Sequence, residues 1–244
     1  MKTISILNLK GGVAKTFTAV NMAYELYRRG FKVLLIDNDK QGNASRAYGR
    51  YDAESVAPIT KLLSGEWQRA GEIIQHTEYE GIDIVPANMS LFGAAWNLMR
   101  EEDENQIERY KRLTERTAGV SSYYDYCIID NPPDIGLNVV NALAITDEVI
   151  VPVKIDEDAL EGLDIVTEQI EDAKAFNERL HLGGVLVTSY QNTDGEAAGV
   201  EWLAQNGKYK ILGVIRYSKK VAESSFMRKP IYEYSPCCGA AQGY

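Results

Sequence analysis

The chain has 244 residues, 45% of them hydrophobic and 25% charged, with a formal net charge of −9. Such a length supports a single α/β domain with a sizeable core over residues 1–244, and the composition is that of a globular chain. No apolar run approaches the ~18–20 residues of a membrane span, and the acidic balance excludes a protein that coats nucleic acid over its whole surface.

Three cysteines are too few for a disulfide framework and suit a reducing cytoplasm. His76 and His181 stand apart from them and from each other, without the spacing of zinc ligands, and read as structural or surface residues. Charge is spread unevenly. From Asp147 to Glu178 eleven acidic residues are set against Lys154 and Lys174, whereas from Ala204 to Tyr244 seven basic residues are set against Glu223 and Glu233. The basic end is either a solvated face or a local phosphate-binding patch.

Residues 3–7 form the first apolar, β-branched run, with no basic flank or cleavage site of a signal peptide before it. The loop Leu9-Lys10-Gly11-Gly12-Val13-Ala14-Lys15-Thr16-Phe17 follows, and then a helix-period stretch over 15–29 with Val20, Ala23, Leu26 and Tyr27 among its apolar positions. Strand, glycine loop and helix start come in the order of a phosphate cradle. Glycines let backbone N–H groups approach phosphate oxygens, and the helix N-terminus adds partial positive charge. Lys15 would reach the β- and γ-phosphates of a nucleoside triphosphate, and Thr16 would place its hydroxyl on Mg²⁺. A dinucleotide-binding turn requires GxGxxG, which this loop lacks, and the Lys15-Thr16 pair points to the triphosphate.

The run at 32–36 ends in Asp37-Asn38-Asp39. Two carboxylates at period-two spacing emerge on one side of an extended segment. One would serve Mg²⁺ or its water shell and the other would orient the attacking water; the bland alternative is a solvated acidic loop. Runs at 82–85 and 126–129 come next, separated by a helix-period stretch over 91–116 in which residues 101–108 read as one exposed helix face. The run at 126–129 leads into Asp130-Asn131-Pro132-Pro133, which makes Asp130 a candidate second Mg²⁺-associated acid beside the loop strand. Runs at 148–153, 184–187 and 211–215, with a helix over 158–179, complete the pattern. Strands apolar on both faces and alternating with helices predict a three-layer, doubly wound α/β fold with a mostly parallel sheet, its ligand at the carboxyl ends of the strands.

These motifs together resemble the ParA/MinD group of deviant Walker A ATPases, and most closely its ParA-type partition proteins. The group's KGGxxK[ST] loop is matched by Lys10 to Thr16, its second motif by DNDKQGNAS and its third by IIDNPPDIG. ALAITDEVIVPV, ALEGL, VAES and KPIYEYSP look like the later blocks, so the resemblance spans nearly the whole chain.

The resemblance implies MgATP hydrolysis in a homodimer formed on ATP binding, with Lys10 crossing to the partner's phosphates. Lys10, Lys15 and Asp39 would be the catalytic set, Asp39 positioning the hydrolytic water. Lys10, Gly11, Gly12, Val13, Ala14, Lys15, Thr16 and Phe17, with Arg216 and Ser218, would bind ATP, and Thr16, Asp37 and Asp130 would hold Mg²⁺, the acids mainly through waters. It further implies nonspecific binding of double-stranded DNA, stimulation by a ParB-like centromere-binding partner, and a cytoplasmic protein that joins the nucleoid when ATP-bound. Candidate DNA contacts are Arg216, Lys219, Lys220, Arg228 and Lys229.

Three positions depart from the family pattern. Ala14 replaces a glycine, Phe17 replaces a second threonine, and residues 190–194 lack the arginine that relatives often use on DNA. Two other functions compete. A MinD-like positioning ATPase is expected to end in a basic amphipathic helix, and the CCGAAQGY end shows none, so no membrane partner is expected. A nucleotide-dependent scaffold with little hydrolysis is raised by Ala14. An iron-sulfur carrier would require separated cysteines, which Cys127 within a strand and the vicinal Cys237 and Cys238 do not supply.

Overall fold

The computed structural model describes residues 1–100, 105–115, 119–156 and 159–244. Its centre is an eight-stranded sheet of β1 (Lys2–Ile6), β2 (Val33–Asp37), β3 (Gln75–His76), β4 (Ile82–Val85), β5 (Tyr126–Asp130), β6 (Glu148–Lys154), β7 (His181–Tyr190) and β8 (Ile211–Arg216). The order across the sheet is β3-β4-β2-β5-β1-β6-β7-β8, with every pairing parallel except β3 with β4. The doubly wound, mostly parallel sheet read from the sequence is thus what the chain forms.

Alternation along the strands builds the layers. On β2, Leu34 and Ile36 join one core cluster with Ile59, Leu62 and Leu63 of α3 (Pro58–Ser64) and Ala142 and Ile145 of α7 (Leu137–Ile145). Val33 and Leu35 point the other way, onto Ala19, Val20 and Ala23 of α1 (Lys15–Arg28). A third cluster packs β6 and β7 against α7 and α8 (Ala159–Ala173) through residues such as Val151, Val187, Leu143 and Val166. Helices on both faces leave the carboxyl edge of the sheet as the open rim.

Two expectations are corrected. The helix over 91–116 is not continuous: α4 covers Ser90–Leu98 and α5 covers Lys111–Thr114, with turns from Asn105 in between. Tyr110 and Leu113 belong to the core and are fully buried, so the chain turns inward just past the stretch expected to be exposed; of that stretch, residues 105–108 are exposed or half-buried and residues 101–104 lie outside the described residues. The helix expected to reach 179 stops at Ala173, and the buried Asn177 donates its side-chain amide to the carbonyls of Leu143 and Thr146 at 2.8 and 2.7 Å, satisfying the end of α7.

β7 extends past the expected run at both ends and takes in Gly183 beside Gly184. A Cβ at Gly183 would lie 2.1 Å from Glu148 Oε1, and one at Gly184 would lie 2.5 Å from the Lys210 carbonyl. Close approach of the neighbouring backbone requires the second, whereas at Gly183 only the Glu148 side chain stands in the way. No helix among the described residues is long and apolar enough to cross a membrane.

Candidate functional site

β1 lies between β5 and β6, so the loop after it opens at the rim where the chain changes direction across the sheet. Gly11 and Gly12 are exposed, and a Cβ built on either meets nothing within 4 Å, leaving their backbone facing open space. Asn8 anchors the loop's first limb by donating to the Pro152 carbonyl at 2.7 Å and accepting the Lys10 N–H at 2.9 Å. Thr188, at the end of β7, donates to the Val13 carbonyl at 3.1 Å and fixes the other limb. Lys15 curls back over the loop, its ammonium donating to the Lys10 carbonyl at 2.9 Å. Burial pulls the Lys15 pKa down, against the opposing pull of Asp130, Asp39 and Asp134.

The carboxylates gather on the same rim. Asp37 pairs in register with Asp130 across β2 and β5, and Ile6 of β1 pairs with Asp130 on its other side. Asp37 is fully buried and accepts the Ser45 N–H at 2.7 Å and its hydroxyl at 2.6 Å. Burial raises its pKa to about 6, with the Ser45 bonds opposing the rise. Asp130 is also fully buried, and neither of its carboxylate oxygens has a hydrogen-bond partner among the described residues. Its pKa is pushed well up by burial and by the Asp37 charge; the Thr16 hydroxyl, close by but outside hydrogen-bond geometry, offsets part of that rise. Asp39 is only half-buried and accepts the Gln41 N–H at 2.9 Å.

An amide web behind these acids escaped the sequence reading. Asn38 donates to Asn131 Oδ1 at 2.9 Å and to the Asn138 carbonyl at 3.1 Å, accepts the Tyr110 hydroxyl at 2.8 Å, and its own carbonyl accepts Asn138 Nδ2 at 2.9 Å. Asn131 donates in turn to the Ile6 carbonyl at 3.2 Å. Neutral amides tie the ends of β1, β2 and β5 to the first turn of α7 without adding charge. The available signal was an asparagine directly after each of the two acid-bearing strand ends.

Lys10 is bound to Asp156 at 2.6 Å within the same chain. Reaching a second protomer would therefore mean exchanging that partner. Ala14, the residue preceding α1, adopts φ 68° and ψ 31°, the left-handed region that glycine occupies at least cost. Its carbonyl still accepts the Thr18 N–H at 2.9 Å. Relief of this strain predicts that Ala14→Gly stabilises the fold by about 1 kcal/mol, a rise of about 2–4 °C in the thermal midpoint. An unchanged or lower midpoint on calorimetry would show that the loop carries no such strain.

Ala14 and Phe17 share a depression of about 150 Å³ with Arg216 and Ser218, so the two late nucleotide candidates do reach the loop. The Phe17 ring meets that of Tyr244 at 5.6 Å, and the Tyr244 hydroxyl bonds to Thr18 Oγ1 at 3.0 Å. The aromatic side chain in place of threonine therefore has a packing partner in this chain. At the basic end, Lys220 is paired with Glu223 and Lys229 with Glu233, whereas Arg216, Lys219 and Arg228 are exposed and make no ion pair among the described residues. His76 binds Asp83 at 2.7 Å, and no cluster of metal-ligating His, Cys, Asp and Glu occurs among the described residues.

Comparison with known proteins agrees with this geometry. Residues 1–182 match the family model described as "AAA domain". The chain is 35% identical to the sporulation initiation inhibitor protein Soj of Bacillus subtilis, over all of this chain and 95% of that protein. It is 32% identical to the chromosome partitioning protein ParA of Caulobacter vibrioides, over all of this chain and 91% of that one. Among solved structures, cobyrinic acid a,c-diamide synthase of Mycobacterium smegmatis with bound ATP analog and magnesium superposes with a TM-score of 0.80 at 28% identity, covering 93% of each chain. With the glycine loop, the register-paired acids and full-length relatives all agreeing, the chain belongs to the ParA/Soj family of P-loop ATPases.

Proposed function

We propose that the chain is a single-domain, MgATP-hydrolysing partition ATPase that dimerises on ATP binding and holds duplex DNA without sequence preference. The observation that carries this reading is Asp130: a fully buried carboxylate with both oxygens unpartnered, one strand from the phosphate loop. An acid so placed suits a hydrated divalent cation, whose waters would occupy those oxygens. The open backbone at Gly11 and Gly12 suits phosphate in the same way. Thr16, Asp37 and Asp130 would hold Mg²⁺, and the bound ion would supply charge neutralisation for the phosphate oxygens.

The chain's own residues divide the remaining work. The N–H groups of Gly11 through Phe17 would cradle the phosphates, and Lys15 would give up the Lys10 carbonyl for their oxygens. Arg216 and Ser218 would border the rest of the nucleotide. Asp39, the least buried of the three acids, would hold the attacking water, while Lys10 released from Asp156 would reach the partner's phosphates. Solvent-facing Arg216, Lys219 and Arg228, with Lys220 and Lys229, would meet the DNA backbone, and a ParB-like protein would stimulate turnover at the nucleoid.

Steady-state phosphate release, with and without duplex DNA and partner, tests the reading. Asp39→Ala should reduce turnover by about 10²-fold or more. Wild-type release no faster than that of the variant would favour the scaffold reading, in which left-handed Ala14 permits binding without brisk hydrolysis.

A further inference from the structure

Beside the phosphate loop, in a depression that neither Arg216 nor Ser218 lines, α1 meets α2 (Asn43–Ala47) and the end of α10 (Lys219–Phe226) around a cleft of about 350 Å³. Its lining includes Arg46, Arg228 and Lys229, with Asn21, Asn43 and Thr16 supplying polar groups, and no acidic residue among the described residues. In a protein of net charge −9 that is a local reversal of sign. Two of the three cations are uncommitted: neither Arg46 nor Arg228 makes an ion pair among the described residues, and the Arg46 guanidinium lies over the Tyr51 ring, 3.4 Å from its centroid, which holds it in place without neutralising it. Arg228 reaches the cleft from a left-handed backbone, φ 54°, just past the end of α10.

We infer that this cleft binds a phosphodiester of duplex DNA, with Arg46 as a contact contributed from a part of the chain far in sequence from the basic end. The inference rests on the DNA-binding reading above and adds a specific site to it. Guanidinium groups suit phosphate oxygens through paired N–H donors. The rim residues Arg228 and Lys229 are exposed, so a phosphate carried on a polymer has access to them, whereas a free nucleotide has the glycine loop. Thr16 lines the cleft as well as standing in the loop, so the two phosphate sites adjoin.

The test is the salt dependence of duplex retention by the full chain in the presence of Mg²⁺ and a nonhydrolysable ATP analog. Each lost phosphate contact lowers the slope of log affinity against log salt by about 0.9. Arg46→Ala should lower the slope by about one contact and Arg46→Ala/Arg228→Ala by about two, with analog affinity within about twofold of wild type. Arg46→Lys, which keeps the charge, should retain most of the slope. Unchanged slopes in both alanine variants, with wild type retaining DNA, would overturn the cleft and leave the partition reading standing. Wild type that retains no duplex at any salt would overturn both. Inorganic pyrophosphate that protects the cleft in wild type while DNA slopes stay unchanged would assign the site to a small anion and overturn the DNA contact.

Discussion

Asp130→Asn should give a protein that resists unfolding better than the wild type and turns over no nucleotide. In the nucleotide-free chain Asp130 is a buried acid with no hydrogen-bond partner, beside a second buried acid in register with it. Replacing an uncompensated buried charge by a neutral group of the same shape should stabilise by about 1–3 kcal/mol, a rise of about 2–10 °C for a chain of this size. Turnover should be lost because the substitution removes a carboxylate that would hold the divalent ion in the proposed site.

The same acids set a pH dependence of defined sign. Asp37, raised from its ordinary value to about 6, and Asp130, raised well above its own, both bind protons more tightly in the folded chain than in the unfolded one. Their contribution to stability is fully present below the unfolded pKa of about 4 and is lost as pH rises through the folded values. The groups facing them are Asp39, Lys15, Thr16 and Ser45, and of these only Lys15 carries positive charge. Wild type without nucleotide should therefore melt lower at pH 7.5 than at pH 5, and Asp130→Asn should show a flatter profile. Scanning calorimetry at the two pH values decides; a wild type that melts higher at pH 7.5 would sink the argument.

Lys15→Ala should weaken ATP binding by about 10²–10⁴-fold. The estimate takes two charge-assisted hydrogen bonds to phosphate oxygens at about 1.5–3 kcal/mol each. Lys15 is the one cation among the charges acting on buried Asp130, so the variant should also melt below the wild type, the opposite direction from Asp130→Asn. Titration calorimetry with Mg²⁺ and a nonhydrolysable analog measures the first effect. Affinity within threefold of wild type would mean that the loop does not cradle phosphate.

The strands were legible because a parallel sheet covered on both faces demands unbroken apolar runs, as in VLLID of β2 and YCIID of β5. β3 was not, since its two residues, Gln75 and His76, are exposed at an antiparallel edge and carry no periodic signal. The break between α4 and α5 was hidden for a different reason. Tyr110 and Leu113 continue a helical period, yet Tyr110 is drawn inward to bond Asn38, a contact between residues distant in sequence. Within the site, the loop and the three acids announced themselves by order and position. The amides of Asn38, Asn131 and Asn138 did not, because their partners are backbone carbonyls, one another and the sequence-distant Tyr110 hydroxyl. Nor did the left-handed state of Ala14, which an alanine does nothing to advertise.

The clasp between Tyr244 and the first turn of α1 bears on how the protein is handled. Ala240 and Ala241 are fully buried, and Tyr244 covers Phe17 and Thr18 one turn beyond the phosphate loop. A fluorescent fusion, affinity handle or surface attachment placed at this segment would pry at the wall of the proposed nucleotide site itself.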